Sequence, residues 1–162
     1  MKILVVSDTH GNEDNLKKVL QMEGMPDYLL HLGDAESGEH AIESLVTCPV
    51  WMVAGNCDFF TRLPKTRIIE IEGLRILMTH GHYYYVSVGT RDLMEDAKAN
   101  GCQVAMFGHT HRPVLDQSDP ELTVLNPGSL SYPRQPDRRP SYATITTEPD
   151  GAVHYKLHYL QR

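Results

Sequence analysis

Apolar residues in this chain fall into two regimes. Ile3-Leu4-Val5-Val6 is an unbroken run, and a continuous run of this kind reads as a strand buried on both faces. Asp27 to Leu32, Pro49 to Ala54 and Val104 to Phe107 repeat the pattern. Between the runs lie amphipathic stretches. Glu13 to Gly24 places Leu16, Val19 and Leu20 on one helical face, with Asn12 positioned to cap it and Gly24-Met25-Pro26 to end it. Ser37 to Val46 reads as a second helix. Thr90 to Asn100 reads as a third, with Leu93, Met94 and Ala97 inward and Gly101 as its stop. Thr66 to Glu72 alternates, Glu72-Gly73 turns, and Leu74 to Met78 is apolar again, which predicts a hairpin.

The last third is strand and turn: Val114 to Asp116, Leu122 to Leu125, the turn Asn126-Pro127-Gly128-Ser129, then Ser141 to Thr147 paired with Ala152 to Leu160 through Asp150-Gly151. In the final strand Val153, Tyr155, Leu157 and Tyr159 share one face. His154, Lys156 and His158 share the other, and both of these histidines are expected in solvent. His31 lies within the second strand and reads as a packed, hydrogen-bonded imidazole; His40 reads as exposed. The class expected is α/β. No repeat or linker divides the chain, so 1–162 is expected to be a single domain.

Composition narrows the function classes. The formal charge of −6 argues against a nucleic-acid or anionic-membrane surface. Cys48, Cys57 and Cys102 are an odd count without a C-x-x-C spacing, which suits a reducing compartment. No signal-like segment opens the chain and no apolar run approaches the ~20 residues of a membrane span. A cytoplasmic protein is expected; whether it forms a homo-oligomer stays open.

The candidate chemistry sits where apolar runs end. Asp8-Thr9-His10, Gly33-Asp34, Gly55-Asn56, Thr79-His80-Gly81-His82 and Gly108-His109-Thr110-His111 each follow a strand-like segment. Loops at the carboxyl ends of central strands are where α/β proteins place ligands. Asp8 and His10 have alternate parity, so an extended tail would aim both side chains one way. The glycines suit a backbone that must turn sharply. Each motif alone could be an ordinary turn; their recurrence at one topological position points to a common site. Seven candidate ligands (Asp8, His10, Asp34, Asn56, His80, His109 and His111) exceed the four of a structural zinc site and suit two ions sharing a carboxylate. The carboxylate, amide and imidazole mixture favours Mn, Ni, Fe, Co or Zn over Ca. A water or hydroxide bridging two such ions is the expected nucleophile for an in-line phosphoryl displacement.

In this order, these motifs resemble the calcineurin-like metallophosphoesterase superfamily, and the length resembles its small single-domain bacterial and archaeal phosphodiesterase branch. The resemblance implies a four-layer α/β/β/α sandwich of two mixed sheets flanked by helices. It implies that Asp8, His10 and His111 hold one divalent transition-metal ion, with manganese first among the candidates, and that Asn56, His80 and His109 hold a second. Asp34 would bridge them. Asp34, Asn56 and His80 are assigned catalytic as well as ligating roles, in hydrolysis of a small phosphodiester. Many members carry Gly-Asn-His where this chain has Cys57, and Gly-Asp-x-x-Asp-Arg-Gly where it has Ser37 and Gly38-Glu39. The small branch resembles this chain in carrying Gly-Asn-Cys-Asp. The histidine that would protonate the leaving group is therefore missing together with its orienting carboxylate.

Cys57 and His82 are candidate substrate contacts. Asp58 reads as a turn acceptor or a support for the ligands, and Tyr83-Tyr84-Tyr85 as an aromatic wall for a leaving group, ordinary packing or a subunit interface. Arg134, Arg138 and Arg139 lie in a proline-rich loop over 132–140; phosphate binding is one reading of them, and a solvated loop is the favoured one. The rival readings are a phosphomonoesterase and a non-catalytic metal-binding scaffold similar to the retromer scaffold subunit. Action on long DNA is disfavoured by the acidic balance.

Overall fold

The chain is described here from a computed structural model, over residues 1–161; of the domain expected over 1–162, residue 162 lies outside the described residues. Two five-stranded sheets form. The first runs β10 (Val153–Tyr159), β9 (Ser141–Thr147), β1 (Lys2–Val6), β2 (Tyr28–His31), β3 (Val50–Met52). The second runs β4 (Thr66–Ile71), β5 (Leu74–Thr79), β6 (Val104–Met106), β8 (Leu122–Asn126), β7 (Val114–Asp119). Both are mixed. β1, β2 and β3 are parallel, as are β5, β6 and β8; β9, β10, β4 and β7 join antiparallel.

The period-two alternation of β1 divides its side chains between two cores. Ile3 and Val5 enter the layer between the sheets with Leu30, Ile76, Met78, Val104 and Met106. Leu4 and Val6 face the other way, onto Leu16 and Val19 of α1 (Asp14–Glu23) and Ile42 of α2 (Glu39–Ser44). On the far side, Leu77, Ala105 and Val124 pack against Leu93 and Ala97 of α3 (Arg91–Ala99). The result is the expected four-layer α/β/β/α sandwich. All four apolar residues of β1 are at most 1% exposed. At about 1.5–3 kcal/mol for each buried aliphatic side chain, the strand contributes roughly 6–12 kcal/mol before entropy. The loop that follows it therefore starts from a rigid base.

Several expectations need adjustment. The second helix is shorter than Ser37 to Val46, because Ser37 sits at φ 68 and cannot belong to it. Glu13, not Asn12, occupies the N-cap of α1; Asn12 Oδ1 instead accepts the Asp14 N–H at 3.0 Å. His158 is not solvated. Its ring stacks on Tyr142 at 4.7 Å and its Nε2 lies 2.8 Å from Thr144 Oγ1, on the face that α1 covers through Glu23. His154 and His40 are exposed as expected. His31 is fully buried: Nδ1 accepts the Gly33 N–H at 3.2 Å, so Nε2–H donates to Thr9 Oγ1 at 3.0 Å. The three cysteines are free.

Candidate metal centre

The parallel strands end at one edge, and their loops continue the ladders. Asp8 N–H donates to Gly33 O at 3.0 Å and His10 N–H to Asp34 O at 2.9 Å, tying the loops after β1 and β2. Gly108 N–H donates to His80 O at 3.0 Å, tying those after β5 and β6. The extended tail expected for Asp8 and His10 is absent. Asp8, His10, Asp34, His109 and His111 all adopt left-handed φ between 48° and 66°. Such backbone costs on the order of 1 kcal/mol or more per non-glycine residue and persists only where the surroundings over-determine it. The turn after each strand, not strand parity, brings the side chains together.

The glycines answer to crowding more than to turning. Gly33 does sit at φ +100, yet a Cβ there would also lie 2.7 Å from His80 Nδ1 and 2.8 Å from Gly55 N. At Gly108 a Cβ would lie 2.7 Å from Asp8 Oδ2, closer than real Cβ contacts come.

Around the cradle, each donor group has one anchored atom and one presented atom. Asp8 Oδ2 accepts from Ser7 Oγ at 2.5 Å and His109 N–H at 3.2 Å, while Oδ1 is buried without a hydrogen-bond donor. Asp34 Oδ1 accepts the Cys57 N–H at 2.8 Å, while Oδ2 faces His80 Nε2 at 3.3 Å and His10 Nε2 at 3.9 Å. The imidazoles repeat the device. His80 Nδ1–H donates to Leu32 O at 2.7 Å, His111 Nδ1–H to Tyr132 O at 2.7 Å and His10 Nδ1–H to Glu36 Oε1 at 2.9 Å. That leaves three Nε2 atoms turned inward. His111 Nε2 lies 3.0 Å from Asp8 Oδ1 and 3.3 Å from His10 Nε2; His80 Nε2 lies 3.8 Å from Asp8 Oδ1 and has no hydrogen-bond partner. Anchoring the distal ring nitrogen fixes tautomer and orientation, the usual support of a metal-binding histidine.

Donor atoms of Asp8, His10, Asp34 and His111 all lie within 4.8 Å of one another. His80 adjoins this group. Asn56 and His109 stand beside it as a pair, with His109 Nδ1 at 3.0 Å from Asn56 Oδ1. Asp8, His80, Asp34 and His111 are at most 4% exposed, His10 and His109 are half-buried and Asn56 is exposed, so the cradle opens at the Asn56 side.

Electrostatics follow from this packing. Burial works to raise the Asp8 carboxyl, but His111, His80 and Ser7 together hold it below its ordinary value. Burial is likewise outweighed at Asp34, where His80 and the Cys57 N–H keep the carboxylate well below the usual range. Asp34 and Asp8 in turn hold the His80 imidazole above its ordinary value against the effect of burial. Burial, then the His80 charge, lowers His109, which keeps its ring neutral and able to ligate. Burial and then Asp34 push the Cys57 thiol up to about 11. It therefore stays a neutral thiol at pH 7, and its Sγ accepts weakly from Asn56 Nδ2 at 3.5 Å. The His82 ring packs 5.5 Å from His80, 6.0 Å from His109 and 4.2 Å from Tyr83. It opens a short 3₁₀ turn over His82–Tyr84. Of the three tyrosines, Tyr83 and Tyr85 are exposed and Tyr84 donates to Asp96 Oδ2 at 2.5 Å.

Residues outside the motifs hold this geometry. Asp58 accepts three backbone N–H groups, from Asp34, Gly55 and Glu36, each at 2.7 Å. The sequence marks it as a turn or supporting acceptor but not its reach across the loops after β2 and β3. Glu36 carries no such mark, and Asn126 to Ser129 reads only as a turn. Buried Asn126 donates to Gly108 O at 2.9 Å and Thr110 Oγ1 at 3.0 Å. Ser129 Oγ donates to Asp8 O at 2.9 Å and Ser131 Oγ to Thr9 O at 2.6 Å. The one available signal was that Asn-Pro-Gly-Ser follows a strand as the other motifs do.

A strained, buried cradle of bare carboxylate oxygens and imidazole nitrogens, at the carboxyl edge of two facing mixed sheets, is the arrangement of a metal-dependent phosphoesterase. The chain belongs to the calcineurin-like phosphoesterase superfamily, whose domain model matches residues 1–150. It is 33% identical over 156 residues to the probable metallophosphoesterase YsnB of Bacillus subtilis, covering 94% of this chain and 88% of that protein. It is 30% identical over 160 residues to the Escherichia coli phosphodiesterase YfcE, covering 83% and 82%. A crystal structure of a Streptococcus pneumoniae protein, described as a predicted phosphoesterase, superposes with a TM-score of 0.77 at 26% identity, covering 98% of this chain and 97% of that one. Among the described residues no helix is long and apolar enough to cross a membrane.

Proposed function

We propose that this protein is a phosphodiesterase working with two divalent transition-metal ions, manganese first among the candidates, within a single domain spanning 1–162. Asp8, His10 and His111 would hold one ion, and Asn56, His80 and His109 the other. Asp34 would stand between them through its inward Oδ2. The observation that carries this is the shared orientation of Asp8, Asp34, His10, His80 and His111: one atom tied to the chain and one aimed into a common buried space, with Asp8 Oδ1 and His80 Nε2 left there without a hydrogen-bond partner. Two carboxylate oxygens and three imidazole nitrogens fit a transition-metal cation better than calcium. When bound, two such ions would supply Lewis acidity and an acidified water for in-line attack at phosphorus.

The chain's own residues do the positioning. Ser7, the His109 N–H and the Cys57 N–H hold the two carboxylates ionised and oriented. Leu32 O, Tyr132 O and Glu36 hold the three rings. The His80 proton, stabilised by Asp34 and Asp8, must leave as a cation enters. No histidine occupies the position next to Asn56. Cys57, a neutral and weakly donating thiol, can assist the departing oxygen little, so the reading favours diesters with good leaving groups.

Turnover of bis(p-nitrophenyl) phosphate, dependent on added manganese and lost in Asp34→Asn, is the expected result. Preference for p-nitrophenyl phosphate would replace the reading with a monoesterase. Full metal occupancy with no ester turned over would replace it with the scaffold. The seven filled ligand positions favour chemistry over the scaffold.

A further inference from the structure

A pocket of about 570 Å³ opens beside the cradle, lined by His10, His111, Arg112, Tyr132, Arg134 and Arg138 together with Pro133. Two of these are candidate metal ligands and three are arginines; no carboxylate lines the pocket. In a chain of net charge −6, three guanidinium groups without an acidic neighbour in the lining are a local inversion. Among the described residues none of the three guanidiniums makes a hydrogen bond or ion pair, and all three residues are exposed.

The solvated-loop reading holds for only part of 132–140. Arg139 is consumed structurally: Nε donates to Leu160 O at 3.1 Å, Nη2 to Tyr159 O at 2.9 Å, and the group lies over the Tyr159 ring. Arg134 and Arg138 instead face the pocket, where they meet Arg112 from the loop after His111.

Their backbone is stitched to the cradle. Arg134 N–H donates to His111 O at 3.0 Å, and His111 Nδ1–H donates to Tyr132 O at 2.7 Å. Ser131 and Ser129 bind Thr9 O and Asp8 O. Arg138 is held at φ 49 by its N–H to Gln135 O and by Gln135 Nε2 to Arg139 O. The Tyr132 and His10 rings meet edge to face with centroids 5.1 Å apart. Guanidinium groups bind phosphate through paired, charge-assisted N–H donors, which makes Arg the side chain suited to this task.

We propose that Arg112, Arg134 and Arg138 bind a second phosphoryl group of the substrate, so that the preferred substrate is a small phosphodiester bearing an additional phosphate. This rests on the phosphodiesterase reading for the scissile bond, while the arginine site can be tested without turnover. The volume suits a nucleotide-sized molecule. A patch three side chains wide on an acidic protein suits a small polyanion rather than a polymer.

The test compares two phosphomonoester probes, adenosine 3′,5′-bisphosphate and adenosine 5′-monophosphate, by calorimetry on the manganese-loaded protein. The bisphosphate is expected to bind at least tenfold tighter, about 1.4 kcal/mol, with the preference shrinking as salt rises. The triple variant Arg112→Ala/Arg134→Ala/Arg138→Ala should bring the two affinities within about twofold. Lys17→Ala, an exposed charge control on α1, should keep the preference. Equal binding of the two probes by the unaltered protein, or a preference retained by the triple variant, overturns the proposal. Hydrolysis of bis(p-nitrophenyl) phosphate is measured alongside. Its absence with the tenfold preference intact removes the phosphodiesterase reading and leaves the arginine site. Its presence with equal affinities does the reverse.

Discussion

Removing the Asp58 carboxylate should loosen the metal cradle without touching a ligand. Its Oδ2 accepts from Asp34 N–H and Gly55 N–H, and its Oδ1 from Glu36 N–H, all at 2.7 Å. The three donors belong to the loops after β2 and β3. Asp34 and Asn56 are thus positioned by one side chain from outside the cradle. A hydrogen bond to a charged group contributes about 1.5–3 kcal/mol, and three sharing one acceptor are not additive. We expect Asp58→Ala to cost about 3–5 kcal/mol, near the top of the range for single substitutions. For a chain of this size that is a fall in Tm of about 6–20 °C. Asp58→Asn keeps one acceptor oxygen but points an amide N–H₂ at a backbone donor, so it should fall between. Loss of such a support commonly weakens metal binding by about 10–100-fold. Circular-dichroism melts of the ion-free protein and manganese calorimetry on the folded variant separate the two effects. A melt within 2 °C of the parent, with manganese affinity unchanged, would refute the argument that Asp58 sets the loop geometry.

Two further outcomes are expected. His31 is neutral in the fold, with burial lowering its pKa to about 4 against 6.5 for the free side chain. The unfolded chain therefore takes up a proton first as pH falls, and stability present above pH 6.5 is lost towards pH 4. Denaturant unfolding of ion-free protein should lose about 3 kcal/mol across that window from this group, and His31→Gln should lose correspondingly less; equal slopes would contradict the assignment. Cys57→His places an imidazole beside Asn56 and should raise kcat on diesters with poor leaving groups, by up to about 10²–10⁴-fold if the ring reaches the departing oxygen. A rate that stays level or drops would count against a missing general acid.

The local signals in this chain were strong where one residue's surroundings are set by its own strand. Continuous apolar runs such as Ile3 to Val6 declared strands buried on both faces, because a sandwich leaves neither side of its central strands wet. Amphipathic stretches such as Thr90 to Asn100 declared helices with one covered face. The motifs after each strand supplied Asp8, His10, Asp34 and His111, whose donor atoms lie within 4.8 Å of one another. Sequence alone misjudged His158, because alternation along β10 says which face a side chain takes but not whether a helix covers that face.

The tertiary structure decided the rest. That Asp8 and His111 lie 3.0 Å apart depends on two sheets stacking with their carboxyl edges aligned, a property of no single segment. Left-handed backbone at five candidate ligands, the three-way grip of Asp58, and the division of the arginines between the C-terminal strand and the pocket depend on hydrogen bonds between residues distant in sequence. A sequence carries the chemistry of each group and the periodicity of each element. The distances between groups come from packing, where burial of apolar faces fixes the layers and the loops have no freedom left but to converge.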